Sequence, residues 1–428
     1  MAFANGAVES SKDGFRLSML IYDTRFRSVT IQVVVLALVL LFISWLTGNV
    51  VSNLAAKGKD INFGFLWVRA GYDIEQTLIP YTNDSSHGRA AIIGLLNTLV
   101  IAFFGCIFAT VIGVLVGVLR LSKNWLVSRL MTVYVEAFRN VPLLLWIILV
   151  FVVTTEIRPA PNDFRVTPEM QEQGIEPKAS MWLNDSVAMT NRGTNIPAPR
   201  LERGLPTIDI ATVPVNLSAV LVIAVLLVSI WANRRFLGHV TRVQEETGVR
   251  PATWWKSLLI LFGPAVIVLA VMGFHLEYPT LQGFNFRGGI QVMHSFTALL
   301  IALSLYTGAF IAEIVRSGIM AISRGQSEAA AALGLRPGRT MKLVILPQAL
   351  RVIIPPLISQ FLNLTKNTSL GIAVSYLDLR GTLGGITLNQ TGRELEAMLL
   401  MMLIYLTISL IISALMNAFN AAVKLKER

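Results

Sequence analysis

A single cysteine, Cys106, excludes an internal disulfide and any metal cluster built on thiolates. Charge is scarce as well: Asp, Glu, Lys and Arg make up 14% of the chain, roughly half their share in soluble domains. No GxxxxGK[ST] phosphate loop occurs, so the chain is not expected to hydrolyse ATP itself. HExxH, CxxC and GxSxG are also missing, and the four histidines (His87, His239, His275, His294) are scattered. Enzyme readings start with almost no support, and no metal site is expected.

What the chain has instead is apolar length. Of its 428 residues 54% are hydrophobic, and the mean hydropathy is +0.63. This is the composition of a polytopic membrane protein. The net charge of +11 sits in short loops beside the apolar runs, which fits the positive-inside bias and argues against nucleic acid. Residues 1–30 read as a cytoplasmic tail with an interfacial helix around 15–22. The first apolar run, 31–53, is too long and too late for a cleaved signal peptide and is expected to remain as a span.

Seven further spans are expected at about 91–119, 131–155, 213–232, 257–275, 291–315, 343–364 and 397–419. Loops 120–140, 233–256 and 316–342 are basic and belong inside; 54–90 has balanced charge and belongs outside. Eight spans with both termini in the cytoplasm satisfy every loop, the KLKER tail included. The segment 156–212 is the outlier, rich in Pro, Asn, Asp and Glu, with eight acids against six Lys and Arg. It is too polar to span and is placed outside, as a small cap. Within 91–119, Gly113 and Gly117 form a small-xxx-small face suited to close helix contact. Pro142, near the inner end of 131–155, is expected to kink that span.

The most informative stretch is 323–360, SRGQSEAAAALGLRPGRTMKLVILPQALRVIIPPLISQ. Ser327 reads as an N-cap, with Glu328 at the positive end of the helix dipole. Ala329 to Ala332 are strong helix formers, Gly334 falls at a left-handed C-cap, and Pro337 suits the first position of a new helix. A helix of small residues without an apolar stripe cannot anchor itself in a core. It suits a groove on another protein, the plain alternative being an ordinary surface helix between spans.

GQSEAAAALGL followed by LPQALR and IPPL resembles the EAA loop of ABC importer permeases of the polar amino-acid (histidine/glutamate/general L-amino acid) family. NTL at 97–99 and FRNVPLLL at 138–145 resemble the same pattern, although small residues usually precede the proline where this chain has Asn140-Val141. The resemblance covers about 90–150 and 291–420, and the enlarged size is similar to the Q-type subunits of general L-amino acid importers. It implies an all-α, type I ABC importer transmembrane domain over 90–419, with 156–212 and the helices in 213–275 inserted and 31–53 added in front. It further implies that the loop 323–342 carries the coupling helix, with Ser327, Glu328, Ala329, Ala330, Gly334 and Leu335 meeting a separate ATPase.

The implied partners are a sibling permease in a heterodimer, two ATPase subunits that use ATP and Mg, and a periplasmic binding protein that delivers an amino acid. The implied location is a bacterial inner membrane, and no cofactor is expected on this chain. For the substrate path, polar residues inside spans need a reason. Tyr306, Thr307 and Glu313 read as a path-lining face, or Glu313 simply pairs with Arg316 at i,i+3. Asn363, Lys366, Thr368 and Ser369, in NLTKNTSL, resemble the family's segment near the outer gate, or form a helix cap with an interfacial lysine. Pro347, Pro355 and Pro356 break backbone bonding, which lipid tolerates only against protein or a cavity. The competing functional class is an ion-coupled secondary amino-acid transporter, which leaves the EAA-like loop without a purpose. A membrane scaffold without substrate is a third reading.

Overall fold

The computed structural model of the chain describes residues 24–56, 60–166, 176–210, 213–249 and 251–423, with Ile21, Gly58 and Glu172 besides. The expected interfacial helix at 15–22, except Ile21, and the KLKER tail lie outside the described residues. The chain divides into two units, Met1–Gly64 and Phe65–Arg428. Among the described residues the first contains one long helix, α1 (Thr24–Ala56), whose best window has a mean hydropathy of 2.7.

In the second unit the helices of nine or more described residues are α2 (His87–Leu119), α3 (Trp125–Asn140), α4 (Leu143–Glu156), α5 (Leu217–Thr247), α6 (Trp254–Val271), α7 (His294–Met320), α8 (Arg324–Ala332), α9 (Leu346–Asn367) and α10 (Glu394–Val423). Among the described residues of the whole chain, seven helices are long and apolar enough to cross a bilayer, or eight when α3 and α4 count as one bent span. The mostly helical, multi-span expectation therefore stands.

The axis of the unit is α7, whose small buried residues Ala302, Gly308, Ala309 and Ala312 let neighbours come close. The glycine face of α2 packs on it. A Cβ added at Gly113 would lie 2.5 Å from Ile311 Cβ, and one at Gly117 would lie 2.7 Å from the Ala312 carbonyl oxygen. Between lipid-soluble helices association rests on such contact rather than on expulsion of water. Ile101, Leu143, Ile147, Leu299 and Leu303 form a core at one end of α7; Ala109, Ile311, Val315, Ile353 and Leu364 form another toward its other end.

Several boundaries differ from expectation. The span expected at 131–155 is two helices meeting at 108°. Val141 takes an extended conformation (φ −102°, ψ 134°), as a residue before proline must, and that single residue ends α3. The helix expected at 213–232 starts after a strand, capped by Asn216, and runs on through the basic stretch to Gly248 (φ +70°). Nothing in 233–247 breaks a helix, so charge alone did not make it a loop. At 257–275 the helix instead ends at Val271, because Gly273 (φ +68°) turns the chain into a strand. The path through Pro355 and Pro356 remains helical, preceded by a π-turn over Met341–Ile345.

At one end the helical scaffold also carries short strands. Strands β1 (Ala188–Thr190), β2 (Gly193–Ile196), β3 (Ala198–Leu201), β4 (Thr207–Ile210) and β5 (Val213–Asn216) precede α5; β6 (Phe274–Glu277), β7 (Thr280–Gln282), β8 (Asn285–Arg287) and β9 (Ile290–Val292) precede α7. The pairs β1–β2, β2–β9, β3–β6, β4–β5 and β7–β8 are all antiparallel. The polar segment and the 272–293 connection thus knit together, with Thr194 opposite Val292 and Arg200 opposite His275. Strands of three or four residues whose partners lie some 75–100 residues away leave no local periodicity to read.

Candidate functional site

Three groups of side chains sit along α7 and α9. The first is the loop between them. α8 begins at Arg324, with Ser323 at the N-cap position and making no side-chain cap bond. Ser327 therefore lies in the second turn rather than at the cap, and Glu328 lies beyond the first turn. Helical geometry starts earlier because Gly325 and Gln326 adopt it too. The C-terminal expectation holds: Gly334 has φ +74°, its N–H donates to the Ala331 carbonyl at 2.9 Å, and the Leu335 N–H donates to the Ala330 carbonyl at 3.1 Å. Both bonds of a Schellman motif are present. Pro337 opens the next turn as expected. Ala330 faces inward, 3% exposed, with Ser327 and Leu335 half-buried; Glu328, Ala329, Gly334 and Leu333 (82% exposed) face away. Gln348 ties the loop to α9 by donating 3.2 Å to Gln326 Oε1.

The second group lies near the same end of α7. Glu313 accepts hydrogen bonds from Arg316 Nη2 (2.6 Å) and from Arg120 Nη1 at the end of α2. The Arg120 side chain is only 9% exposed, so this cluster joins two helices in a poorly hydrated place. The Glu313–Arg316 pairing is thus present, and Arg120 is a partner the sequence did not reveal. Tyr306 packs its ring 5.1 Å from that of Phe310, and Thr307 is buried.

The third group lies at the opposite, strand-bearing end. Asn363 and Lys366 on α9 are exposed, Ser369 is half-buried and Thr368 is fully buried. Thr368 donates 3.3 Å to Asp378, which is 0% exposed and also accepts from Tyr405 Oη (3.0 Å) and from the Gly381 N–H (2.9 Å). Burial pushes the Asp378 carboxyl up to about 6, against the opposing pull of these donors. The turn carrying Asp378 is clamped on α2. Asn97 Nδ2 donates to the Leu377 and Gln76 carbonyls (2.9 and 3.0 Å), Tyr376 Oη donates to the Asn97 carbonyl (3.0 Å), and the Leu379 N–H donates to Thr98 Oγ1 (3.1 Å).

Beside this clamp lies a cavity of about 440 Å³ lined by Asp73, Glu75, Gln76, Asn97, Tyr376 and Asn389, among others. A smaller one of about 270 Å³ shares Glu75, Gln76, Asn97 and Tyr376 and reaches β9 at Gln291. Carboxylates, amides and hydroxyls converge here with no Lys or Arg in the lining. Such a lining offers acceptors for an ammonium group and donors for a carboxylate. None of Tyr306, Thr307, Glu313, Asn363, Lys366, Thr368 and Ser369 lines either cavity. Sequence reasoning noted Asn97 within NTL but missed Asp73, Glu75, Tyr376 and Asp378. The available signal for Asp378 was a lone acid between two apolar runs, in a stretch broken by glycines.

Residues 109–425 match the family model described as "Binding-protein-dependent transport system inner membrane component". Over 423 residues, 99% of either chain, the sequence is 67% identical to the glutamate/glutamine/aspartate/asparagine transport system permease protein BztB of Rhodobacter capsulatus. It is 40% identical over 416 residues, 97% of this chain and 96% of the relative, to the general L-amino acid transport system permease protein AapQ of Rhizobium johnstonii. A third relative, the putative amino-acid ABC transporter permease protein YhdX of Escherichia coli, is 38% identical over 94% of this chain and 95% of its own length.

Proposed function

This chain belongs to the family of binding-protein-dependent transport system inner membrane components, and from that premise we propose that it is the amino-acid-conducting permease subunit that takes its drive from a separate ATPase through α8. The observation that carries the reading is the α8 loop: a helix closed at its C-terminal end by a Schellman motif, lodged by Ala330, and presenting Glu328, Ala329 and Gly334 outward between two spans. A lever needs a rigid attachment and an exposed contact face, and this loop has both.

The substrate class is amino acids, the relative with 67% identity being named for glutamate, glutamine, aspartate and asparagine; a lining with Asp73 and Glu75 and without Lys or Arg favours the neutral amides over the acids. The cleft beside Asn97 and Tyr376 receives the substrate, Asp73 and Glu75 at its mouth attracting the ammonium group. The strand-bearing end faces the periplasm and meets the loaded binding protein. The α8 end faces the cytoplasm with both termini, as the basic loops require. A sibling permease and two ATPase copies complete the complex, and ATP with Mg is consumed by those copies. Within the chain, 90–419 forms the permease domain, carrying 156–212 and the α5–α6 hairpin as insertions.

Uptake of radiolabelled glutamate, glutamine, aspartate and asparagine into proteoliposomes holding the full complex tests this reading. Uptake that requires both internal ATP and external binding protein is expected. Uptake that instead follows an imposed proton or sodium gradient without ATP would overturn it.

A further inference from the structure

The α5–α6 hairpin carries a feature that transport does not use. The two helices pack along one another and leave between them an apolar groove of about 580 Å³, lined by Ala224, Val228 and Ala232 of α5 and Leu259, Gly263 and Ile267 of α6. Directly below it on α5 is a second hollow of about 340 Å³, formed by Trp231, Arg234, Arg235, His239 and Arg242. Positions 224, 228, 232, 235, 239 and 242 recur every third or fourth residue, so Arg235, His239 and Arg242 continue the groove's helix face, with Arg234 flanking it in the same hollow.

Depth fits as well. From Leu217 to Arg234 is roughly 26 Å of helix at 1.5 Å per residue, close to the thickness of a bilayer's hydrocarbon core of about 30 Å. Arg234 and Arg235 therefore emerge at the headgroup level, and Arg242 stands about two turns beyond them on the same helix. On α6 the same level is marked by Trp254, Trp255 and Lys256, with Lys256 Nζ 5.4 Å from the centroid of the Trp255 ring. Aromatic and basic residues together are the signature of that boundary. Arg235 lies 5.2 Å from the Trp231 ring, which holds its guanidinium at the hollow. Neither Arg234 nor Arg242 enters an ion pair among the described residues, and Glu245 and Glu246 are exposed further along the helix, outside the lining.

We propose that the hairpin binds one anionic phospholipid, its phosphate in the Arg234–Arg235–Arg242 hollow and an acyl chain in the groove between α5 and α6. A zwitterionic lipid would bring a cation into a hollow that already holds three. A soluble anion would leave the groove unused. The occupant is a lipid of the leaflet on the α8 side, because basic loops mark the cytoplasmic face.

The test is native mass spectrometry of the detergent-purified full-length complex, titrated with palmitoyl-oleoyl phosphatidylglycerol or the matching phosphatidylcholine. Each basic residue near an anionic headgroup contributes about fivefold in affinity. Phosphatidylglycerol is therefore expected to bind at least about tenfold tighter than phosphatidylcholine. The triple variant R234Q/R235Q/R242Q should lose that preference, and R234K/R235K/R242K should keep most of it. Ala232→Trp, which fills the groove and leaves all three arginines in place, should weaken phosphatidylglycerol binding. Soluble glycerol phosphate should fail to displace the lipid at matched concentration. Equal binding of the two lipids, an unchanged glutamine variant, indifference to Ala232→Trp, or efficient displacement by glycerol phosphate would each overturn the proposal. If the glutamine variant does not assemble, the lipid preference of the unmodified complex and the Ala232→Trp result decide.

Discussion

Tyr405 on α10 donates a 3.0 Å hydrogen bond to the buried carboxylate of Asp378, and this contact ties the turn after α9 to the last helix. Thr368 and the Gly381 N–H complete the same carboxylate's shell. Because Asn97 and Thr98 clamp the turn from the other side, α2, α9 and α10 meet through one short segment beside the cleft.

The Asp378 carboxyl sits at about 6, above its ordinary 3.8, because burial disfavours its charge. A folded-state value above the unfolded one means that the folded protein holds the proton between about pH 4 and 6 while the unfolded chain has lost it. Stability is then fully present below about pH 4, falls as pH rises to about 6, and levels off above, a change on the order of 3 kcal/mol at most. Thermal unfolding of the detergent-purified chain across pH 4.5–7 should show this slope, and Asp378→Asn should flatten it. Tyr405→Phe leaves the carboxylate one donor short and should destabilise by about 1.5–3 kcal/mol at neutral pH.

Glu313 neutralises both Arg120 and Arg316, so its removal leaves the buried Arg120 guanidinium without its carboxylate, while Arg316, 30% exposed, stays in reach of water. Glu313→Ala is expected to destabilise by about 1.5–3 kcal/mol, read as a lower unfolding temperature. Charge reversal, Arg120→Glu with Glu313→Arg, should recover part of the loss in a double-mutant cycle. No recovery would mean that Arg120 contributes by packing alone.

The contact between α2 and α7 makes a sharper steric prediction. Gly113→Leu places carbon where Ile311 already stands and should cost about 1–3 kcal/mol through overpacking. Gly238, in α5, has nothing within 4 Å of an added Cβ. Gly238→Ala should be neutral or stabilise by up to about 1 kcal/mol. Thermal-shift measurements on the two variants check the contrast.

Much of this was legible in the residues. Long apolar runs gave the spans, and the Gly113–Gly117 spacing gave the close helix face. Gly334 and Pro337 marked the end of α8 because only a few residue types tolerate those backbone positions. Ser327 misled because the helix needed no side-chain cap to begin, so a good cap residue three positions inside looked like the start. Pro142 signalled a bend but not its 108° size, which depends on what α4 packs against. The cleft was invisible for another reason. Asp73, Asn97 and Tyr376 lie up to 303 residues apart, and polar residues at such separations carry no joint periodicity. The path residues expected on α7 rest on local polarity, and those at the end of α9 and just after it rest on the family resemblance; Thr307 and Thr368 are packed inside the helix assembly.

The central claim is that α8 transmits the stroke of a separate ATPase. Its most direct test is the ATPase rate of the reconstituted full complex, with and without amino-acid-loaded binding protein, for the unmodified chain and for Glu328→Lys. Glu328 is exposed on α8 and makes no ion pair among the described residues, so the substitution should leave insertion and folding intact. The account predicts strong stimulation by loaded binding protein in the unmodified complex and its loss, by about tenfold or more, in the variant. Equal stimulation in both would contradict it.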